Sequence, residues 1–516
     1  MRKIELFLEA FLLTVASVWA ETEVIPDHSP NIVFILADDM GFGDVQGLHD
    51  RGKIPTPNLN RLAREGMSFT EAHSGSAVCT PTRYGIMTGR YCWRGRLKKR
   101  VINAYAPPLI EKGRMTVAEL LHGAGYVTGC VGKWHLGMEF PTTDNRPAGR
   151  KNTDWKGKIT RGPISEGFDF YYGLSGSIDM DPFIFIENDH FDGVCTTTKH
   201  FISRGPATAD FEAKNALQII GRKAVEFLDR QSADRPFFLY LPLSAPHLPV
   251  LPSDAFKGRT GLGDYADVCA ELDHVVGNVL RKLDQKGLSE KTIVIFTADN
   301  GCDRWVAGLL EGKGHFASER RRGYKCDIYD GGHRIPCLVR WPGHVKAGGK
   351  TAEPICLTDF MATCADLLGL SLPNDAAEDS VSALPLLLGK PYRSPREAIV
   401  HHSLNGYFAI RRGDWVLALC RGDGAGNEPR TSGKTPPVQL YNVKEDPGQT
   451  RNVQASHPEI VRQLRALLRD YRKSGRSVPE RKCRQREAGN LRDNDPSGAR
   501  AGDSARRLQA IGALRG

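Results

Sequence analysis

Beyond its N-terminus, the 516-residue sequence has no apolar run long enough to span a membrane, and it contains no internal repeats. Its 12 cysteines include no Cys-x-x-Cys metal pair, and their spacings show no compact disulfide framework. The formal charge of +10 is concentrated at one end, because residues 472–516 carry +7 of it. These absences argue against a multi-span membrane protein, a Cys-x-x-Cys metal domain and a nucleic-acid-binding protein.

The first 20 residues have the form of a secretory signal peptide. Arg2 and Lys3 precede an apolar run that ends in Val18-Trp19-Ala20, with compact residues three back and one back from a cut after Ala20. We therefore expect export to a periplasm, the extracellular space or a lysosome-like compartment. The alternative is an N-terminal membrane anchor, for which the apolar run is short.

Apolar, β-branched segments alternate with amphipathic segments through most of the chain. This alternation predicts an α/β fold in which a large, mainly parallel sheet is covered by helices on both faces. The predicted strands are 31–37, 126–131, 237–241, 292–298 and 335–341. The predicted helices are 57–65, 116–123, 211–230, 265–285 and 354–370.

The pattern changes near residue 395. Four short alternating segments predict a small antiparallel sheet, and an amphipathic helix at 459–471 follows them. Beyond Lys473 the sequence is rich in Arg, Gly, Ser and Asp and poor in aromatic residues, as disordered segments are. We therefore divide the chain into a signal peptide (1–20), a main α/β domain (21–395), a C-terminal α+β subdomain (396–473) and a basic tail (474–516).

Polar side chains follow four of the predicted strands. In chain order these residues are Asp38 and Asp39, Lys133 and His135, His247, and Asp299 and Asn300. Open α/β sheets bind ligands outside the carboxyl ends of their strands, so we expect these side chains to share one edge. The acids and the amide offer only oxygen ligands, which favours calcium or magnesium over zinc. The two histidines can transfer protons near neutral pH, and Lys133 and Lys325 can bind an anion.

Cys79-Thr80-Pro81-Thr82-Arg83 is the most informative segment of the sequence. It predicts a helix capped by Thr80, with Pro81 in the first helical position and Gly89 after the last turn. Cys79 would then lie just outside the helix N-terminus, where free N–H groups favour an anion and lower the pKa of a thiol. Arg83, one turn further on, can reach back toward Cys79.

Taken together, these motifs resemble those of the type I sulfatases, in which the Cys of Cys-x-Pro-x-Arg is oxidised to formylglycine. The resemblance covers roughly residues 28–475 and includes Gly132-Lys133-Trp134-His135, Pro246-His247, Asp299-Asn300-Gly301 and the stretch from Lys325 to Pro336. It implies a main domain of alkaline-phosphatase-like topology and a smaller domain with a four-stranded antiparallel sheet.

The resemblance also implies a role for each site residue. Cys79 is the formylglycine precursor, and Arg83 stabilises it. The implied ligands of a calcium ion, with magnesium as the second choice, are Asp38, Asp39, Asp299, Asn300 and the group derived from Cys79. The other implied roles are sulfate binding by Lys133 and Lys325, sulfate release by His135 and protonation of the leaving group by His247. A further family serine aligns loosely with Ser177, and Ser175 is the alternative.

The implied reaction is hydrolysis of a sulfate ester. One hydroxyl of the hydrated aldehyde attacks sulfur, and loss of a proton from the other expels sulfate, a cycle that a thiol cannot complete. Residues 91–137 resemble sulfatases of 6-sulfated galactose-type sugars, so we expect a sulfated glycan as substrate and a formylglycine-generating enzyme as partner. We expect neither nucleic-acid binding nor a stable membrane span.

Two other functions fit the same motifs. One is a phosphoester or phosphonate-ester hydrolase of the same superfamily. The other is a non-catalytic protein that binds sulfated glycans, although binding alone would not need both histidines. The sequence does not specify the sugar, the disulfide connectivity or the oligomeric state.

Overall fold

The computed structural model describes residues 29–49, 51–427 and 436–481. The predicted signal peptide and most of the predicted tail lie outside these residues. Up to Pro479, the described chain belongs to one compact unit. Among the described residues, no helix combines the length and the apolar character that crossing a membrane requires.

Eighteen strands and ten α-helices are described. The strands are β1 (Asn31–Ala37), β2 (Met67–Phe69), β3 (Ala72–His73), β4 (Val127–Lys133), β5 (Phe170–Leu174), β6 (Ile186–Glu187), β7 (His190–Phe191), β8 (Thr197–His200), β9 (Arg204–Ala207), β10 (Phe237–Pro242), β11 (Thr292–Ala298), β12 (Cys337–Arg340), β13 (Gly349–Thr351), β14 (Ile355–Cys356), β15 (Ile399–His402), β16 (Phe408–Arg412), β17 (Trp415–Ala418) and β18 (Gln439–Asn442). The helices are α1 (Pro57–Glu65), α2 (Cys79–Thr88), α3 (Val117–Gly123), α4 (Ala216–Asp229), α5 (Asp264–Gln285), α6 (Arg304–Glu311), α7 (Asp330–His333), α8 (Phe360–Leu367), α9 (Leu384–Leu387) and α10 (Pro458–Ser474).

The main sheet has ten strands in the order β13-β2-β12-β11-β1-β10-β4-β5-β6-β7. Its middle, from β11 to β5, is parallel, and antiparallel strands flank it on both sides. All seven residues of β1 are buried, and successive side chains of a strand point to opposite faces, so helices must cover both faces. The predicted α/β class is therefore confirmed, with more antiparallel pairing at the margins than the sequence indicates.

Most predicted elements of the main domain are present. The predictions at 31–37, 57–65 and 292–298 match β1, α1 and β11 residue for residue. The helix predicted at 354–370 is wrong in its first half, because residues 355–356 form β14 and a single 3-10 turn follows. Asp359 explains the late start of α8, since its carboxylate accepts hydrogen bonds from the backbone N–H groups of Cys356 and Val381.

The start of α2 also differs from the prediction. The helix begins at Cys79 itself, after an extended Val78, with no side-chain cap. Thr80 is therefore not the cap, and its hydroxyl has no hydrogen-bond partner within the described part of the chain. The predicted end is correct, because Gly89 adopts a left-handed conformation with φ 61° and its N–H donates to the Gly85 carbonyl.

The predicted C-terminal sheet is confirmed as a four-stranded antiparallel meander, β15-β16-β17-β18. Helix α10 packs on β16 and β17 and buries Leu464, Leu468 and Tyr471. The chain stays packed past the predicted start of the tail at residue 474. Ser477 and Val478 are buried, and the Ser477 N–H donates to the Glu378 carbonyl, so a tail boundary at 474 is too early. The other domain boundaries remain predictions.

A buried ion pair joins the segment before β15 to the segment before α8. Both terminal nitrogens of Arg396 donate to the Asp359 carboxylate, at 2.7 and 2.8 Å, and one also donates to the Asp379 carbonyl. Arg396 is only 2% exposed on its side chain, so the pair lies in the protein interior, where solvent screens it little.

We predict that Arg396→Ala lowers the free energy of unfolding by about 3–5 kcal/mol, because it leaves the buried Asp359 carboxylate unpaired. Urea denaturation followed by circular dichroism measures the loss. The exposed Arg393, three residues earlier, provides the control variant Arg393→Ala, which should change stability by less than about 0.5 kcal/mol. Equal stability of the two variants would contradict the prediction.

Candidate active site

The predicted site residues meet at one edge of the main sheet. Strands β11, β1, β10 and β4 are neighbours, and the loops after their carboxyl ends carry the acids, Lys133 and both histidines. The N-terminus of α2 brings Cys79 to the same place, with its Sγ 3.9 Å from Asp39 Oδ1. Parallel strands all end on the same side, which is why residues so far apart in sequence converge here.

Arg83 and Lys133 neutralise two of the acids. The Arg83 guanidinium donates twice to Asp299 Oδ2, at 2.8 and 3.0 Å, and once to the Lys133 carbonyl. The Lys133 ammonium donates to Asp38 Oδ2 at 2.7 Å and to the Ser177 hydroxyl at 2.9 Å. Arg83 thus binds the acids, whereas the sequence suggested that it would reach back to Cys79.

Asp39 accepts two hydrogen bonds on its carboxylate and donates one from its backbone. Lys325 Nζ donates to its Oδ2 at 2.6 Å, and Asn300 Nδ2 donates to its Oδ1 at 2.7 Å. Its own backbone N–H donates to Asp299 Oδ1. Asp39 adopts a left-handed conformation with φ 65°, which turns the chain sharply at the end of β1.

Two buried oxygens at this edge accept no hydrogen bond from any described residue: Asp38 Oδ1 and Asn300 Oδ1. Both residues have no solvent exposure, and an unsatisfied buried acceptor is costly. Together with Asp39, they offer oxygen ligands of the type that a hard divalent cation prefers. Ligand atoms of Asp38, Asp39, Cys79 and His247 also lie within 4.8 Å of one another. The residues present therefore fit a metal ion.

The pKa values of Asp38 and Asp299, two fully buried acids, are shifted in opposite directions. Burial would raise the pKa of the Asp38 carboxyl, but Lys133, His247 and Arg83 outweigh it and hold that pKa well below its usual value. Burial and the neighbouring Asp38 raise the pKa of Asp299 to about 6, against the opposing effects of Arg83 and Lys133. The pair behaves as like charges that share one buried site.

The Cys79 thiol is buried, and burial raises its pKa well above the ordinary value despite the nearby Lys133 and Lys325. The expected lowering of this pKa by the helix N-terminus is therefore wrong, because desolvation is the larger effect. A thiol in this state is a poor nucleophile at neutral pH.

Both ring nitrogens of His247 have polar neighbours. Its Nε2 is 2.8 Å from Lys325 Nζ, and its Nδ1 is 2.5 Å from the Leu248 carbonyl and 3.2 Å from the Ser177 hydroxyl. A carbonyl only accepts and an ammonium only donates, so Nδ1 carries the proton and Nε2 has the free lone pair. The Ser177 hydroxyl contacts both Lys133 and His247, whereas Ser175 contacts the site through its carbonyl, which accepts from the His135 N–H.

His135 is fully enclosed. Its Nε2 is 2.8 Å from the Ile102 carbonyl, so this nitrogen carries the proton, and Nδ1 has no partner within the described ranges. Burial, followed by the charge of Lys133, lowers the pKa of His135 well below its usual value. The neutral ring therefore has an available lone pair at Nδ1. Its left-handed backbone, φ 54°, sets that orientation.

The structure adds residues that the sequence analysis missed. Asp179 Oδ1 lies 3.9 Å from His247 Nδ1. Its position two residues after Ser177 is the feature of the sequence that could have indicated it. Tyr265 donates its hydroxyl to the Asp39 carbonyl and to Asp44 Oδ2. Nothing in the helical pattern of residues 265–285 distinguishes Tyr265 from an ordinary core residue.

A second buried cluster, His73, His333 and His401, does not have the geometry of a metal centre. The rings of His333 and His401 stack in parallel, 3.8 Å apart, so their in-plane lone pairs do not converge on one ion. Arg411 donates to His73 Nε2 at 2.7 Å, which leaves the His73 proton on Nδ1, 3.1 Å from His333 Nδ1. The cluster is a hydrogen-bonded packing contact.

A family model for sulfatases matches residues 30–370, a span that contains Cys79, both histidines and all four proposed metal ligands. The chain belongs to the sulfatase family. It is therefore a sulfuric ester hydrolase of the alkaline phosphatase superfamily, as the sequence motifs predicted.

Relatives match this sulfatase over most of its length. The N-acetylgalactosamine-6-O-sulfatase of Bacteroides thetaiotaomicron is 35% identical and covers 86% of this chain and 93% of its own. Human arylsulfatase A is 32% identical and covers 85% and 87%. A solved structure from Bacteroides thetaiotaomicron, described with the metabolism of multiple glycosaminoglycans, has a TM-score of 0.76 at 33% identity and covers 86% of this chain and 99% of its own.

Proposed function

We propose that this sulfatase hydrolyses a carbohydrate sulfate with a formylglycine derived from Cys79 and a bound calcium ion. The observation that carries the proposal is the position of Cys79. It starts α2 with its Sγ 3.9 Å from Asp39 Oδ1, and its Sγ and ligand atoms of Asp38, Asp39 and His247 lie within 4.8 Å of one another. A buried thiol of raised pKa has no evident use in such a site except as a precursor.

Two absent groups would complete the site. Hydrated formylglycine supplies a hydroxyl nucleophile together with a second hydroxyl that permits release of sulfate. Calcium, held by Asp38, Asp39, Asp299, Asn300 and the group at Cys79, supplies positive charge against the sulfuryl oxygens.

The residues of the chain itself bind the substrate and move protons. Lys133 and Lys325 place two ammonium groups at the edge where an anionic sulfate would lie, which stabilises charge on its oxygens. His247 Nε2 accepts a hydrogen bond from Lys325, so it must first take up a proton, for which Lys325 is the adjacent source, before it protonates the leaving oxygen. His135 Nδ1 has the lone pair that accepts a proton when sulfate is released.

The carbohydrate assignment rests on similarity. The bacterial relative is named as an N-acetylgalactosamine-6-O-sulfatase, and residues 91–137 resemble sulfatases of 6-sulfated sugars. We also propose export through the predicted signal peptide and maturation by a formylglycine-generating enzyme. The signal peptide falls outside the described residues, so its support is the sequence pattern alone.

We predict that active protein carries an aldehyde in place of the Cys79 thiol. Mass spectrometry of the peptide that contains Cys79 should show formylglycine after expression with a maturation enzyme, and free thiol without it. Sulfatase activity should follow the modified fraction. Full activity in protein with only unmodified Cys79, or in Cys79→Ala, would contradict the assignment.

We predict that Asn300→Ala weakens calcium binding by about tenfold or more, because it removes an unsatisfied ligand oxygen. Isothermal calorimetry on chelator-treated protein measures the affinity for calcium and for magnesium. Asn278 on α5 provides the matched control, and Asn278→Ala should bind calcium as the wild type does. Unchanged affinity in Asn300→Ala would place the ion elsewhere.

We predict that His247→Ala loses about a hundredfold or more in kcat on a sulfated sugar and much less on an activated aryl sulfate. A sugar alcohol needs protonation as its bond to sulfur breaks, whereas an acidic phenol does not. His135→Ala should impair both substrates, because sulfate release is common to them. Equal losses for His247→Ala on the two substrates would assign it a binding or structural role.

A further inference from the structure

A cavity of about 450 Å³ opens beside His247. The loop after β10 forms one wall with Leu248 and Pro249, the start of α5 forms a second with Leu262 and Tyr265, and α6 forms a third. The segments that form these walls lie at the same edge of the sheet as the site residues. The cavity therefore lies next to the reaction centre, within the same set of loops.

The mouth of this cavity is unusually apolar. On the described chain, seven large hydrophobic side chains are exposed, and four of them lie on or next to its lining: Ile202 at 52%, Leu251 at 40%, Trp305 at 64% and Leu309 at 56%. A soluble protein leaves such side chains together in solvent at a cost, so clustering at one concavity indicates a binding function.

The lining offers little to a hydroxyl-rich ligand. Most of the residues around the cavity are aliphatic, and the exceptions are Trp305, Tyr265, Lys313 and the exposed Asp264. The Tyr265 hydroxyl already donates to Asp44, and the Lys313 ammonium already donates to the Leu262 carbonyl at 2.6 Å. A second sugar ring would regain few of its hydrogen bonds to water here, whereas an alkyl or aryl group has none to lose.

Hydrogen bonds connect the walls of the cavity to residues of the candidate active site. The Leu248 carbonyl in its wall is the partner of His247 Nδ1, and Tyr265 donates to the Asp39 carbonyl. On the third side, the Lys325 N–H donates to the Cys302 carbonyl, three residues before Trp305. His247 is the proposed proton donor to the leaving oxygen, so the cavity adjoins the residue that would face the leaving group.

We propose that this cavity binds an apolar aglycone, so that the substrate is a sulfated sugar linked to an alkyl or aryl group. This inference rests on the proposed function, because the reacting sulfate ester is assigned there. Trp305 and Leu309 form the outer wall, and the volume is sufficient for a medium-length alkyl chain or a small ring system.

Binding of unsulfated ligands tests the cavity without turnover. Calorimetry compares octyl β-galactoside, kept below its critical micelle concentration, with methyl β-galactoside. The wild type should bind the octyl glycoside about tenfold or more tightly, with a negative heat-capacity change. Trp305→Ala and Leu309→Ser should each lose most of this preference. Matched controls at exposed residues outside the cavity, Tyr407→Ala and Leu370→Ser, should retain it.

Turnover separates this inference from the proposed function. With 6-sulfated forms of both glycosides, the wild type should show a higher kcat/KM for the octyl substrate, mainly through KM, and Trp305→Ala should reduce that ratio. Equal binding of the two unsulfated glycosides, retention of the preference in both cavity variants, or tighter binding of an unsulfated disaccharide overturns the inference. Octyl binding without sulfate release from any sulfated sugar refutes the proposed function instead.

Discussion

The buried ion pair between Arg83 and Asp299 is the contact on which the site depends. Arg83 has no solvent exposure, and its guanidinium joins α2, which carries Cys79, to the ends of β11 and β4. A buried charge without a partner is strongly destabilising, so this geometry has few alternatives. The position of Cys79 is thereby fixed relative to the acids, at the end of a helix instead of in a loop.

Charge balance would allow the same edge to accept both the proposed cation and an anionic substrate. Three carboxylates face three cations: Asp38, Asp39 and Asp299 against Arg83, Lys133 and Lys325. A divalent ion among the unsatisfied oxygens would make this balanced set positive, and the excess is what an anionic sulfate ester requires. Each lysine already binds an Oδ2 atom of an aspartate, and on Asp38 this leaves Oδ1 for the metal.

The sequence was sufficient where local chemistry and sheet topology decide the outcome. Parallel strands end on one side, so the residues after β1, β4, β10 and β11 could be placed together before any coordinates were known. The start of α8 could not be foreseen, because it depends on Asp359 binding backbone groups distant in sequence. The thiol pKa of Cys79 was also misjudged, since burial depends on the whole fold and outweighs the local effect of a helix end.

The orientation of the site side chains also could not be predicted from the sequence. His135 and Asp39 both adopt left-handed backbone conformations, and no periodicity in the sequence predicts either. Those conformations direct one His135 nitrogen to the Ile102 carbonyl and leave the other free, and the carbonyl of Leu248 similarly assigns the proton on His247. The two histidines therefore differ in which nitrogen carries the proton, because of their backbone neighbours. His135 has its lone pair at Nδ1 in a closed pocket, whereas His247 has its lone pair at Nε2 beside a lysine, so the two rings present different nitrogens as acceptors.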